Sequence, residues 1–336
     1  MPELDFVTLD VFTTKRFAGN PLAVVHVPAD TELAQDTKQT IAREFNFSET
    51  VFLHETALGE NPNQHTVDIF TTDQELPFAG HPTIGTASHV LGRKSYASSS
   101  GSTALLVKAG RIPIERVDEE GPLVVRASVP HDVHIHQGRL RTAEGIDAVR
   151  ALGAVGHGDP AIEAAELDAP VVSIVRGMSF VLVQLDSLAQ LATVSTRSPG
   201  LDFDQLPTLL DAGPWGREEA GGHISRYYYV VTASETGKNV TDVRTRMIAL
   251  QEEDPATGSA ACTLASCLTL SNSNKNKNKD SNKTAGQTHR YNITQGVEMG
   301  RQSDILVEVA TGADGSIDKV FLGGSAVEVT RGTISV

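Results

Sequence analysis

The sequence predicts an α+β protein built from two similar halves. Three features carry that reading: short β-branched runs separated by turn residues recur along the chain, few helical stretches interrupt them, and one loop-to-helix motif occurs twice, about half a chain apart. In order, the strand-like runs are Asp5–Phe12, Leu22–Val27, Thr50–His54, Thr66–Phe70, Leu105–Val107, Val124–Val129, Val171–Val175 and Phe180–Leu185. Tyr227–Thr232, Asn239–Met247, Arg290–Gln295, Ile305–Ala310, Val320–Gly323 and Ala326–Thr330 complete the series. A βαβ Rossmann sheet would need a helix between most of these, and the sequence does not supply them.

Helical spacing is confined to three segments. Thr31–Glu44 carries caps, and Gly85–Leu91 and Ser259–Leu270 are rich in Ala and Leu. Residues 271–289 (SNSNKNKNKDSNKTAGQTH) are nearly free of apolar groups, so a disordered surface loop is expected there.

Composition narrows the function. The chain has 336 residues, 40% of them hydrophobic, enough for two ordinary domains with buried cores. Its formal charge of −14 repels polyanions, and the Lys275, Lys277, Lys279 alternation with Asn reads as a solvated loop, so no nucleic-acid partner is expected. The longest apolar run, Val171–Leu185, is broken by Arg176, Ser179 and Gln184, so no membrane partner is expected either. Cys262 and Cys267, five apart on a helix, point in different directions and should not form a disulfide. The first residues lack a basic region followed by an apolar one, which makes a reduced cytoplasmic setting the expectation.

The repeat is the informative feature. His81-Pro82-Thr83-Ile84-Gly85-Thr86-Ala87 and Asp254-Pro255-Ala256-Thr257-Gly258-Ser259-Ala260 share a pattern, [His/Asp]-Pro-x-x-Gly-[Thr/Ser]-Ala, at an offset of 173 residues. Each copy follows a short strand and precedes a small-residue helix. Glycine lets a backbone approach a ligand, and Thr86 or Ser259 is placed to cap the helix start. Uncapped N–H groups and the helix dipole then favour an anion such as a carboxylate. Phe17-Ala18-Gly19-Asn20-Pro21 echoes Phe78-Ala79-Gly80-His81-Pro82, so Asn20 is a candidate substrate ligand, or simply a turn former. Glu49 sits where a loop enters the apolar strand Val51–Leu53; taken alone it reads first as a solvated turn glutamate, whereas a partly buried carboxyl there would exchange protons near neutral pH. His131, His134 and His136 are of metal-ligating type and lie close together in sequence. No carboxylate or Cys completes a familiar spacing, so exposed histidines at a domain crossover, and no metal, are the expectation.

Taken together, FAGNPLAVV, FNFSETVFL, LPFAGHPTIGTA, EEDPATGSAAC and QGVEMGRQS resemble the PhzF (phenazine-biosynthesis-like) family in motif and order, from near residue 12 to near 303. The resemblance implies the diaminopimelate-epimerase-like fold: two pseudo-symmetric halves, each a curled, mostly antiparallel sheet around a central helix, with the active site between them. It implies a first half at 1–128, with 325–336 crossing back to it, and a second at 129–324 containing the 271–289 loop. Carried across by position, Glu49 is the catalytic proton carrier, with His81 and Asp254 as catalytic partners. Gly80, Gly258 and Ser259 join Asn20 in holding the substrate carboxylate. The activity implied is a cofactor-independent isomerisation, a proton shift on a small carboxylate-bearing metabolite, in a homodimer. An amino-acid epimerase and a non-catalytic interaction module of the same fold are the alternatives. The two facing cysteines of epimerases are replaced here by Gly80 and Asp254. Gln302 stands where the family commonly has Pro.

Overall fold

The computed structural model describes residues 3–56, 61–93, 102–117, 121–143, 146–151, 155, 158–196, 206, 208–216, 224–235, 237–249, 252–277 and 286–336. Two compact units divide the chain. The first takes Met1–Val129, Arg301–Ile305 and Phe321–Val336; the second takes Pro130–Gly300 and Leu306–Val320.

In the first unit, β1 (Glu3–Val11) pairs antiparallel with β2 (Asn20–Val27) on one side and with β18 (Ala326–Ser335) on the other. β2 runs parallel to β3 (Thr50–His54), and helix α1 (Gln35–Phe45) makes that crossover. β3 then pairs antiparallel with β4 (Gln64–Phe70). β4 takes β5 (Glu75–Leu76) antiparallel and β6 (Ala104–Val107) parallel. β7 (Gly110–Arg116), β8 (Val125–Ser128) and the end of β17 (Ile317–Gly324) continue antiparallel. Helix α2 (Gly80–Leu91) packs on β1, β2, β3, β7, β8 and β18, and ten of its twelve residues are buried. A helix buried on all sides needs apolar or small residues all round, which GHPTIGTASHVL supplies.

The second unit repeats this order of pairings. β9 (His134–Ile135) and β10 (Val171–Val175) are antiparallel, as are β10 and β11 (Met178–Gln184). Helices α3 (Leu140–Ala143), α4 (Ile146–Ala151) and α5 (Pro160–Asp168) come between β9 and β10, and α6 (Leu188–Thr193) follows β11. β11 runs parallel to β12 (Ser225–Glu235), β12 antiparallel to β13 (Val240–Ala249), and β13 takes β14 (Glu252–Asp254) antiparallel. Then comes α7 (Gly258–Lys277), and β15 (Thr288–Gln295) returns parallel to β13. β16 (Ser303–Thr311) completes the set. From β1 to β6 and from β10 to β15 the succession is the same: hairpin, parallel step, antiparallel step, short strand, central helix, parallel return. The sequence repeat is therefore a structural repeat: α2 begins at Gly80, one residue ahead of the first copy of the shared motif, and α7 at Gly258, inside the second.

Four expectations need correction. Helix α2 starts at Gly80 rather than Gly85, because Pro82 falls in the first turn, where a missing N–H costs nothing. Thr86 is thus mid-helix and cannot cap; its hydroxyl is buried without a hydrogen-bond partner. The polar stretch expected as a loop over 271–289 is helical as far as Lys277, and β15 begins at Thr288. Extending a helix already nucleated by buried Ala and Leu costs little per residue even for Ser, Asn and Lys. Residues 278–285 of that stretch lie outside the described residues. Helix α1 starts at Gln35, since Thr31 N–H turns back onto the Pro28 carbonyl. Strand β7 is hidden in the sequence because Pro113 interrupts its Ile112–Ile114 alternation, and α3 to α6 carry too little periodicity to stand out.

Gly85 lets α2 sit this deep. A Cβ there would lie 2.5 Å from Leu22 Cδ2 and 2.8 Å from Val11 Cγ2. Its glycine is a packing requirement of the core rather than an approach for a ligand. Gly85→Ala therefore should destabilise the protein by about 1–3 kcal/mol, read as a lowered midpoint in urea unfolding. An unchanged midpoint would show that the helix can shift at no cost.

Candidate active site

Strand register assembles the site in the first unit. Because β2 and β3 are parallel, with Ala23 opposite Thr50, their first residues emerge at the same end of the sheet. Asn20 opens β2, and Glu49 directly precedes β3. Helix α2 brings His81 to the same place in its first turn. His81 Nδ1 lies 3.3 Å from Glu49 Oε2 and 3.5 Å from Asn20 Nδ2. Asn20 and His81 are buried, and the Glu49 side chain is 17% exposed.

Desolvation dominates the electrostatics of this trio. Burial pushes the Glu49 carboxyl up from 4.5 to about 7, with a hydrogen bond from the Ser48 side chain opposing the rise. Glu49 Oε2 is shielded from water and makes no hydrogen bond despite its proximity to the imidazole. A buried carboxyl that titrates near neutrality can both take and return a proton at physiological pH.

The entry loop to β2 is held from a distance. Arg301 donates from Nε to the Gly19 carbonyl at 2.9 Å, and from one terminal nitrogen to the Ala18 carbonyl at 3.1 Å and to Asp10 Oδ1 at 2.7 Å. Asp10 Oδ2 accepts the Phe17 N–H at 2.6 Å. Phe17 and Gly19 both have left-handed backbones, φ 66° and 68°, and a Cβ on Gly19 would meet the Val11 carbonyl at 2.3 Å. Arg301 is thus a positioning residue that local sequence reasoning passed over. Its signal was present in the QGVEMGRQS motif, but its partners lie some 290 positions earlier.

The second unit holds the other candidates. Asp254 ends β14, and Gly258 and Ser259 open α7. Thr257, just before that helix, gives its hydroxyl proton to Asp254 Oδ2 at 2.5 Å. Gln295, at the end of β15 opposite Thr245, donates to the Asp254 carbonyl at 2.8 Å. Gly80 likewise opens α2, preceded by Ala79, which supplies no capping side chain.

The histidine expectation is corrected at two points. His136 is buried, not exposed, and a carboxylate does join the group: His134, His136 and Asp211 bring ligand-type atoms within 4.8 Å of one another. Asp211 is 75 residues from His136, so no local spacing could reveal it. Both ring nitrogens of His136 are engaged, Nδ1 accepting the Asp211 N–H at 3.0 Å and Nε2 meeting Ser173 Oγ at 2.8 Å. Burial, then His134, holds its pKa down to about 4. His134 bonds Asp211 Oδ2 at 2.8 Å and stacks on Trp215. The trio satisfies itself as a hydrogen-bonded brace. Cys262 and Cys267 are both buried and unpaired in α7, and burial pushes their thiols upward, which disfavours thiolate chemistry.

Residues 9–332 match the family described as phenazine biosynthesis-like protein, PhzC-PhzF. The chain belongs to the PhzC-PhzF family. It is 31% identical to a trans-2,3-dihydro-3-hydroxyanthranilate isomerase of Pseudomonas chlororaphis over 98% of both chains. It is 30% identical to an uncharacterised isomerase of Mesorhizobium japonicum over the full length of both. Among solved structures, a PhzF-family phenazine biosynthesis protein of Bacillus anthracis superposes with a TM-score of 0.69 at 20% identity, covering both chains fully. A probable proline racemase of Agrobacterium radiobacter has a TM-score of 0.56 at 11% identity, over 99% of this chain and 93% of that one, a likeness of fold alone. This PhzC-PhzF protein is an isomerase with the epimerase-like fold.

The raised Glu49 pKa makes a stability prediction with a definite sign. A carboxyl whose pKa is higher folded than unfolded contributes stability that is complete below about 4.5 and lost as pH rises through about 7. Glu49→Gln cannot ionise and escapes that loss. Relative to wild type it should gain roughly 3 kcal/mol between pH 4 and pH 8 in paired denaturant titrations. Parallel pH profiles for the two proteins would mean that Glu49 is not desolvated.

Proposed function

We propose that this isomerase moves a proton on a small, unsaturated carboxylate, with Glu49 as the carrier and without a cofactor. The observation that carries the reading is the Glu49–His81 pair: a shielded carboxyl with a pKa of about 7, 3.3 Å from a ring nitrogen. Glu49 as carboxylate takes a proton from a carbon acidified by the adjacent unsaturated system. His81 steadies the resulting acid through Nδ1, and Glu49 returns the proton elsewhere on the conjugated frame, shifting the double bond. Asn20, beside the imidazole, orients it or bonds the substrate.

Two features support a carboxylate ligand. Ala79 leaves the first N–H groups of α2 without a side-chain cap, and Thr257 spends its hydroxyl on Asp254 instead of on α7. Helix starts left in that state favour an anion. Gly80, Gly258 and Ser259 belong to the proposal as its ligands, and Asp254 as its second carboxylate. The names of the relatives suggest trans-2,3-dihydro-3-hydroxyanthranilate or a similar cyclic dihydro amino acid as the substrate class. A homodimer in the cytoplasm completes the reading.

Incubating the protein in deuterated water with trans-2,3-dihydro-3-hydroxyanthranilate is the direct test. Deuterium should enter the product at carbon, and kcat/KM should rise with pH on a limb centred near 7, since the free enzyme needs the Glu49 carboxylate. Glu49→Gln should lose turnover by at least 100-fold, the usual worth of a positioned base. Undiminished exchange in that variant would remove Glu49 from the mechanism. Exchange only at an α-carbon, with racemisation, would favour the epimerase alternative.

Ser259→Ala separates a cap from a ligand. A ligand role predicts affinity for the substrate carboxylate weakened by roughly 1.5–3 kcal/mol, the worth of a hydrogen bond to a charged group. Lost stability of about 1 kcal/mol with unchanged affinity would leave Ser259 as a cap only.

A further inference from the structure

We propose that Tyr227, Gln295 and Thr257 form a one-way hydrogen-bond chain that holds Asp254 as a proton acceptor, with Gln295 as the positioning residue at its centre. Each link has its polarity set by the one before. The Tyr227 hydroxyl donates to Gln295 Oε1 at 2.9 Å, and the Thr257 N–H donates to the same oxygen at 3.3 Å. Two donors on one atom identify it as the amide oxygen, so the amide nitrogen must face the other way. That nitrogen donates to the Asp254 carbonyl at 2.8 Å and to Thr257 Oγ1 at 3.1 Å. With its oxygen already accepting, the Thr257 hydroxyl sends its one proton to Asp254 Oδ2 at 2.5 Å. The Ala256 N–H approaches Oδ1 at 3.4 Å. Both carboxylate oxygens therefore face donors.

Burial keeps the chain from running backwards. Tyr227 and Gln295 are fully buried, and Tyr227 ends the relay as a neutral phenol because burial pushes its pKa far up. The titratable neighbours add no competing proton: Cys262 on α7 is likewise held neutral by burial, and Arg246 and Glu253 satisfy each other at 2.7 Å. Donors aimed at a carboxylate favour its ionised form. The chemistry assigned is thus a base, or a charge stabiliser, at Asp254, and not a proton-donating acid. This rests on the reading of Asp254 as part of the isomerase site.

The test titrates Asp254 directly, by NMR of protein carrying 13C-labelled aspartate carboxyls, with Asp254→Asn identifying the signal. Thr257→Val keeps the shape and removes the donor; the Asp254 midpoint should rise by about one pH unit. Thr257→Ser should restore the wild-type midpoint. Gln295→Met and Tyr227→Phe should raise it by smaller steps, in that order, as each leaves Thr257 freer to turn away. Melting temperatures run alongside show whether a variant is folded. Folded Thr257→Val and Gln295→Met with wild-type midpoints would overturn the proposal, whatever their stability. The functional reading fails separately: it is lost if Asp254→Asn turns over trans-2,3-dihydro-3-hydroxyanthranilate at the wild-type rate, an outcome that leaves the titration result standing. If both hold, Thr257→Val should also raise a second, lower step in the acidic fall of kcat, below the Glu49 limb near 7, with KM little changed.

Discussion

The parallel pairing of β2 with β3 is the constraint on which the first unit depends. An antiparallel partner would place Asn20 and Glu49 at opposite ends of their strands, about a strand length apart. The parallel step needs a crossover, which α1 supplies, and its register puts both residues at the edge where α2 begins. His81 reaches them only because the helix lies flush against β1 and β2, which the bare Cα of Gly85 permits. One register and one missing methyl group thus precede any chemistry.

Placing Glu49 there is costly, and the fold meets the cost elsewhere. A carboxyl out of water is destabilised when ionised, while the surrounding strands bury Val24, Val25, Val51 and Phe52 completely. The left-handed backbone at Phe17 is a second local expense, held in place by Asp10 and Arg301. Polar groups in this unit are thus oriented by a shell of ordinary packing and by one guanidinium drawn from the far end of the chain.

Much of this was legible in the sequence. Thr50–His54 and Val171–Val175 are strands with the predicted ends, because β-branched runs between turn residues have few other solutions. The repeat was legible because both copies must start a buried helix. What could not be read were partners joined only by folding: Arg301 with Asp10, Asp211 with His136, and Gln295 with Asp254 are separated by tens to hundreds of residues, and nothing local marks them. Local rules also failed where two of them competed. Pro82 reads as a helix breaker, yet in a first turn it is tolerated, and Pro113 concealed a strand in the same way.

The structural repeat is complete in its strands but not in its chemistry. Where Glu49 precedes β3, the matching position before β12 is Ile224, apolar and buried. The two matching positions therefore carry a titratable carboxyl in one half and an apolar side chain in the other. A pair of opposed acids and bases can invert a carbon by removing hydrogen from one side and supplying it from the other. A lone carrier must deliver to the side from which it took, so the hydrogen would stay on one face of the substrate while the double bond moves beneath it. With Glu49 in its proposed role and no counterpart at Ile224, that asymmetry between the two halves would favour migration along a molecule over reflection through it.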